Sequence, residues 1–171
     1  TTPSGVLWTW ANNSDGQLGN NSTTARRYPG SVAGVGTITA VAAGATHTLA
    51  LDTTGRIWAF GDNFYGALGD GTTTDRLLPV QLALTSVVQI AAGANHSLAL
   101  RSTGELYVFG RNTNGQLGLG NTTQQNTPVL LMSGVTTMAG GTSHSVFVKT
   151  VGAHGEARKS GPTSTRASWS A

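Results

Sequence analysis

One pattern is written three times in this chain, at a period of about fifty residues. Gly16-Gln17-Leu18-Gly19 returns as Gly66-Ala67-Leu68-Gly69 and again as Gly115-Gln116-Leu117-Gly118. Asn13, Asn63 and Asn112 each lie three residues before the first glycine, and Pro29, Pro79 and Pro128 follow it. Then come the small-residue runs Ala42-Ala43-Gly44, Ala91-Ala92-Gly93 and Ala139-Gly140-Gly141, with His47, His96 and His144 three residues after each. A repeat of this length is one supersecondary unit that cannot bury its apolar face alone, so the units must stack as a propeller or a solenoid.

Each copy reads as strands and turns. Ile57-Trp58-Ala59-Phe60 and Leu106-Tyr107-Val108-Phe109 are aromatic, β-branched runs that end at Gly61 and Gly110, and Val6 to Trp10 is the first copy, with Ala11 in the glycine's place. Such runs favour strands. A polar loop follows each Gly-x-Leu-Gly element, over Asn20 to Arg27, Asp70 to Arg76 and Asn121 to Asn126. The proline then opens a strand at a position where its missing N–H is tolerated. Two more strands complete the set, joined by tight turns such as Thr53-Thr54-Gly55 and Ser102-Thr103-Gly104. Four strands per repeat is the content of a propeller blade, and no segment carries a capped helical period.

The expected fold is therefore all-β. Residues 1–150 make one propeller domain, with blades of approximately 5–54, 55–103 and 104–150. Twelve strands are expected, or three blades if the first strand completes the last. Three is fewer than the roughly four to eight blades of ordinary rings, so the ring is expected to be incomplete or closed by oligomerisation. The pattern stops after Lys149, and residues 151–171 read as a disordered or non-native tail. A chain that starts at Thr1 rather than Met suggests processing or excision from a longer protein.

Composition narrows the function classes. Through residue 150 there are seven Lys or Arg against six Asp or Glu, and the rest of the positive charge sits in the tail. A nucleic-acid surface, which needs clustered basic residues, is not expected. There is no cysteine, hence no disulfide framework or thiolate metal site, and no apolar run is long enough to span a bilayer.

The string Trp-x-Phe-Gly-x-Asn-x-x-Gly-x-Leu-Gly, then Pro-Val, then Val-x-x-Ala-Ala-Gly-x-x-His-(Ser/Thr)-Leu-Ala-Leu, resembles the repeat of the regulator of chromosome condensation (RCC1-type) family over residues 5–149. The resemblance implies a β-propeller, usually of seven four-stranded blades. It implies several functions: guanine-nucleotide exchange on a small GTPase with chromatin docking, ultraviolet reception through clustered tryptophans, or inhibition of an enzyme through loops on one face. The Thr- and Asn-rich loops and the absence of cysteine look more like the bacterial members, which implies a secreted or cell-surface location.

No catalytic residue, cofactor or metal is expected. His47, His96 and His144 occupy one position in three blades, but no carboxylate keeps their spacing. Each is expected to hydrogen-bond within its own blade. Asn95-His96-Ser97 and Ser143-His144-Ser145 are no Ser–His pairs, because adjacent strand residues point to opposite faces. Leu18, Leu68 and Leu117 read as loop anchors, the paired glycines Gly16/Gly19, Gly66/Gly69 and Gly115/Gly118 as turn positions, and Trp8 and Trp10 as the edge or closure strand. The expected working surface is the loop set, with Arg26, Arg27, Tyr28, Asp70, Asp75, Arg76, Gln124 and Gln125 as interaction residues for an unidentified protein partner. Two other expectations stand beside it. In nucleotide exchange, the acidic stretch Asp70 to Asp75 would act on a GTPase. In self-assembly, open blade edges would pair between chains.

Overall fold

The computed structural model describes residues 5–150, so the expectation of a tail at 151–171 falls outside the described residues. Every regular element among them is a strand. The first repeat supplies β1 (Trp8–Ala11), β2 (Arg26–Ser31), β3 (Ile38–Ala43) and β4 (His47–Asp52). The second supplies β5 (Ile57–Gly61), β6 (Arg76–Gln81), β7 (Val87–Ala92) and β8 (His96–Arg101). The third supplies β9 (Leu106–Gly110), β10 (Gln125–Met132), β11 (Val135–Gly140) and β12 (Ser145–Lys149). No helix among the described residues is long and apolar enough to cross a membrane.

These strands pair as two whole antiparallel sheets, β3-β4-β5-β6 and β7-β8-β9-β10, flanked by two half sheets, β1-β2 and β11-β12. The sheets are thus out of phase with the sequence repeats. Each begins at a small-residue strand and ends at a proline strand, so every repeat contributes half of one sheet and half of the next. β1 pairs with β2, with Trp8 opposite Ser31, and not with β12 as closure within one chain requires. The arrangement is an open run of blades.

Alternation along the strands builds the core between sheets. On β4 the large Leu49 and Leu51 point to one face and the small Ala50 to the other, and all three are buried. Leu49, Leu51, Ile57 and Ala59 pack with Ile90, Ala99 and Phe109 of the following sheet. Ala50 and Phe60 pack the other way, with Leu7 and Val32 beside the β1-β2 half sheet. Leu98, Leu100 and Val108 repeat the arrangement against Val135 and Met138 of the last half sheet. Burial of such side chains stabilises each by about 1.5–3 kcal/mol, and none of it is available to a single sheet.

The second glycine of each Gly-x-Leu-Gly turn shows how tightly neighbouring blades meet. Gly69 has φ +70°, and a Cβ there would lie 2.7 Å from the Phe109 ring on β9. Gly118 has nearly the same backbone, φ +69°, but its nearest neighbour would be Leu131 at 3.6 Å. We expect Gly118→Ala to cost about 1 kcal/mol for the left-handed backbone alone. Gly69→Ala should cost about 2–3 kcal/mol, because the ring must also move. Urea unfolding of the two variants checks this; equal losses would show that the ring yields freely.

Candidate functional site: the loop face

The long loops 12–25, 62–75 and 111–124, joining the third and fourth strands of each blade, emerge at one end of the sheets. The turns 44–46, 93–95 and 141–144 share that end. Asp62 ties the two sets together, with its N–H donating to Thr46 O at 2.9 Å and its Oδ2 accepting from Thr46 Oγ1 at 3.0 Å.

A buried asparagine organises each long loop. The Oδ1 of Asn13, Asn63 and Asn112 accepts the N–H of Leu18, Leu68 and Leu117 at 2.9, 3.0 and 2.9 Å. The amide nitrogen donates to two carbonyls further on: Ser22 and Thr24 at 2.6 and 3.1 Å, Thr72 and Thr74 at 3.1 and 3.2 Å, Asn121 and Thr123 at 3.0 and 3.0 Å. One side chain therefore pins both arms of its loop, and the leucine between them plugs into the core. The repeat spacing of Asn13, Asn63 and Asn112 was the sequence signal for this role, which a reading of the leucines alone passes over.

The residues singled out in the sequence fall in several places. Arg26, Arg27 and Tyr28 lie in strand β2, Arg76 opens β6 and Gln125 opens β10, so the loops end earlier than the polar runs suggest. Tyr28 and Gln124 are exposed, whereas the Arg26 side chain folds back over Gly30. Asp70 and Asp75 hold their own loop together. Asp70 accepts from Asn63 at 3.0 Å, Thr72 at 2.7 Å and Arg76 at 2.7 Å, and Asp75 accepts the N–H of Asn63 at 2.8 Å. Burial pushes the Asp70 carboxyl up, but the hydrogen bonds from Thr72, Arg76 and Asn63 outweigh it and hold the group below the usual carboxylate value.

The histidines correct one expectation. They do not bond within their own blade but bolt each blade to the next. His47 Nε2 meets Ser97 Oγ at 2.9 Å, and His96 Nε2 meets Ser145 Oγ at 2.9 Å. Each serine hydroxyl donates onward to a Gly-x-Leu-Gly carbonyl, Ala67 O at 2.7 Å and Gln116 O at 2.8 Å. With its proton committed there, the hydroxyl can only accept from the ring, which assigns the Nε2–H tautomer. His47 Nδ1 and His96 Nδ1 are buried without a partner. His144 is exposed. Among the described residues no three His, Cys, Asp or Glu side chains gather in a way that would hold a metal.

Burial pushes the His47 imidazole down to about 4; nearby Asp62 pulls it back in part, and His96 pushes it further down. Burial lowers His96 as well. Both rings are neutral in the fold but take up protons in the unfolded chain once the pH drops below about 6.5. The His47 contribution is complete above that value and is lost as the pH falls toward about 4, and that of His96 is lost in the same direction. Between pH 7 and pH 4.5 denaturant unfolding should show His47 alone removing roughly 2–3 kcal/mol. The same dependence in a His47→Gln variant would refute this source.

One exposed cluster on this face departs from the repeat. Phe64 and Tyr65 stand where the other copies have Ser14-Asp15 and Thr113-Asn114. Phe64 is 68% exposed and meets Tyr65 edge-on at 4.9 Å between ring centres. The Arg111 guanidinium, from the next blade, lies 4.9 Å from the centre of the Tyr65 ring. Two aromatics and an arginine thus bridge two blades on rigid loops. The sequence carried the signal as a break in the repeat.

Stacked four-stranded sheets with loops gathered at one end define the class: an all-β protein of the propeller type. Its repeats match the family model for the regulator of chromosome condensation (RCC1) repeat over residues 4–51, 54–100 and 103–148, and a second model of that repeat matches 38–67 and 87–116. The chain belongs to this family. Among solved structures, human WBSCR16 is 29% identical with a TM-score of 0.74, covering 85% of this chain and 40% of its own. Prp20p from Saccharomyces cerevisiae, studied for its binding to Gsp1p and histones, is 23% identical with a TM-score of 0.78 over 85% and 40%. Yeast RCC1 (Prp20) in complex with Kap60 gives 23% and 0.78 over 85% and 39%. The two yeast likenesses bear on the fold alone. The chain spans about two fifths of the length of these structures. A search of curated proteins finds no match.

Proposed function

We propose that this chain is a non-catalytic scaffold that binds a protein partner through its loop face, with Phe64, Tyr65 and Arg111 as the anchor. The observation that carries this reading is the exposed Phe64 ring, seated on a loop that Asn63 fixes and continued by Tyr65 and Arg111 from two blades. Aromatic residues and arginine on a rigid frame are the side chains that dominate protein interfaces. Membership of a family whose propellers act as interaction scaffolds supports it, as do relatives described with protein partners.

Nucleotide exchange, the alternative, leaned on the acidic stretch Asp70 to Asp75. Both carboxylates are spent on Asn63, Thr72 and Arg76, so this loop offers little to displace a nucleotide's metal or phosphates. The test is affinity capture from the source organism, with mass spectrometry, comparing the native chain with a Phe64→Ala/Arg111→Ala variant of unchanged circular dichroism. We expect a discrete captured protein whose affinity falls at least tenfold with the variant. Capture indifferent to both substitutions refutes the anchor, and accelerated release of labelled GDP from a small GTPase would favour exchange instead.

A further inference from the structure

We propose that the loop-face anchor recognises an acidic segment of a protein, in which a carboxylate grips Arg111 and an apolar side chain two to four residues away packs on Phe64. This rests on the loop-face reading and specifies the ligand of that site.

Arg111 stands at a position whose work in the other repeats is local. Its counterparts are Asn12 and Asp62, each four residues before the first glycine of its turn. Both hold their own loop: Asn12 Oδ1 accepts the N–H of Ser14 at 3.1 Å, and Asp62 Oδ1 accepts that of Phe64 at 2.9 Å. Such a turn needs a side-chain acceptor close to the backbone. A guanidinium has donors only, so Arg111 cannot close its loop in this way. Its Nε donates instead to Thr113 Oγ1 at 2.9 Å, and its guanidinium lies over the Tyr65 ring of the preceding blade.

These two contacts decide what is left for a ligand. One face of the guanidinium is covered and Nε is engaged, while Nη1 and Nη2 have no partner among the described residues. That edge presents two N–H groups side by side, the geometry that matches a carboxylate. The stack and the Thr113 bond hold it in place before a ligand arrives, which lowers the ordering cost of binding. The carboxylates of the neighbouring loop do not compete for it. Asp70 is paired with Arg76 at 2.7 Å, Asp75 accepts the N–H of Asn63, and Asp62 takes the Thr46 hydroxyl and the Phe64 N–H.

The exposed Phe64 ring supplies the apolar half. It and the guanidinium each lie 4.9 Å from the centre of the Tyr65 ring, so they are no further apart than twice that distance. On an extended segment, side chains two residues apart share a face about 7 Å apart. On a helix, those three or four apart lie about 5–6 Å from each other. Either spacing lets one short segment reach both groups. A nucleic-acid backbone fits less well, because it calls for several clustered cations, and Arg76 beside this site is spent on Asp70.

Panning a phage-displayed library of random linear peptides on the whole chain tests this. We expect enriched peptides to carry Asp or Glu two to four positions from Phe, Trp, Leu or Ile. On an Arg111→Glu variant the acidic position should give way to Lys or Arg while the apolar position stays. In fluorescence titrations, changing the carboxylate of an enriched peptide to an amide should weaken binding to the native chain about tenfold, the loss of one hydrogen-bonded charge pair. The same change should cost little on Arg111→Gln, because the pair is already broken. Enriched peptides without an acidic position overturn the proposal, as does a carboxylate that matters equally to both chains. If such peptides still need Phe64, the loop face stands as an interface for a different ligand. Peptides indifferent to both Phe64→Ala and Arg111→Gln overturn the anchor as well. An absence of any enrichment, or Arg111-dependent binding of a labelled single-stranded oligonucleotide instead, overturns the acidic segment alone.

Discussion

Everything on the loop face depends on one buried primary amide per repeat. Asn13, Asn63 and Asn112 are fully buried. A group of that polarity is costly to bury unless its hydrogen-bonding capacity is met. Here it is met by the backbone of its own loop, which has no sheet to pair with. The asparagine thus substitutes for the ladder in a stretch of chain that must stay irregular. It also brings the leucine of the turn into the core. The polar and apolar halves of the loop are fixed by the same side chain, and the blade inherits a rigid rim.

The strands and the repeat were legible in the sequence because both are local and periodic. Alternation of Leu49, Ala50 and Leu51 tells which residues share a face, and a glycine after the aromatic run marks a turn. Which strands share a sheet was not legible in that way. A fifty-residue repeat can be cut at any point, and only hydrogen bonding decides that a sheet starts at Ile38 rather than at Ile57. The histidine joints escaped for a related reason. His47 and Ser97 lie in different blades, 50 residues apart, and a pattern that repeats identically cannot say whether a residue serves its own unit or its neighbour. The candidate interaction site was legible only as an exception, Phe64-Tyr65 where small polar residues otherwise stand. Its partner Arg111 became visible only once adjacent blades were in place.

Function in such a molecule separates from fold along a simple line. Positions that recur, such as the asparagines, glycines and histidines, carry structure, because each blade faces the same packing problem. Positions that do not recur are free to differ, and they gather on the loop rim. A single fold can host unrelated activities for this reason. Ala11 shows the limit of that freedom: it keeps the left-handed backbone, φ 81°, that Gly61 and Gly110 adopt at 105° and 101°. The architecture holds the conformation even where the residue resists it.

The offset between repeat and sheet also bears on how such chains change over time. Because each repeat ends halfway through a blade, inserting or deleting a whole repeat always leaves a first half at one end and a last half at the other. Gene duplication can therefore lengthen or shorten the run without inventing a new seam, since the same joint welds each pair of neighbours inside the chain. A repeat cut in phase with its sheets would have no such property: the hydrogen-bond ladder would close within each copy, and only side-chain packing would commit it to a neighbour.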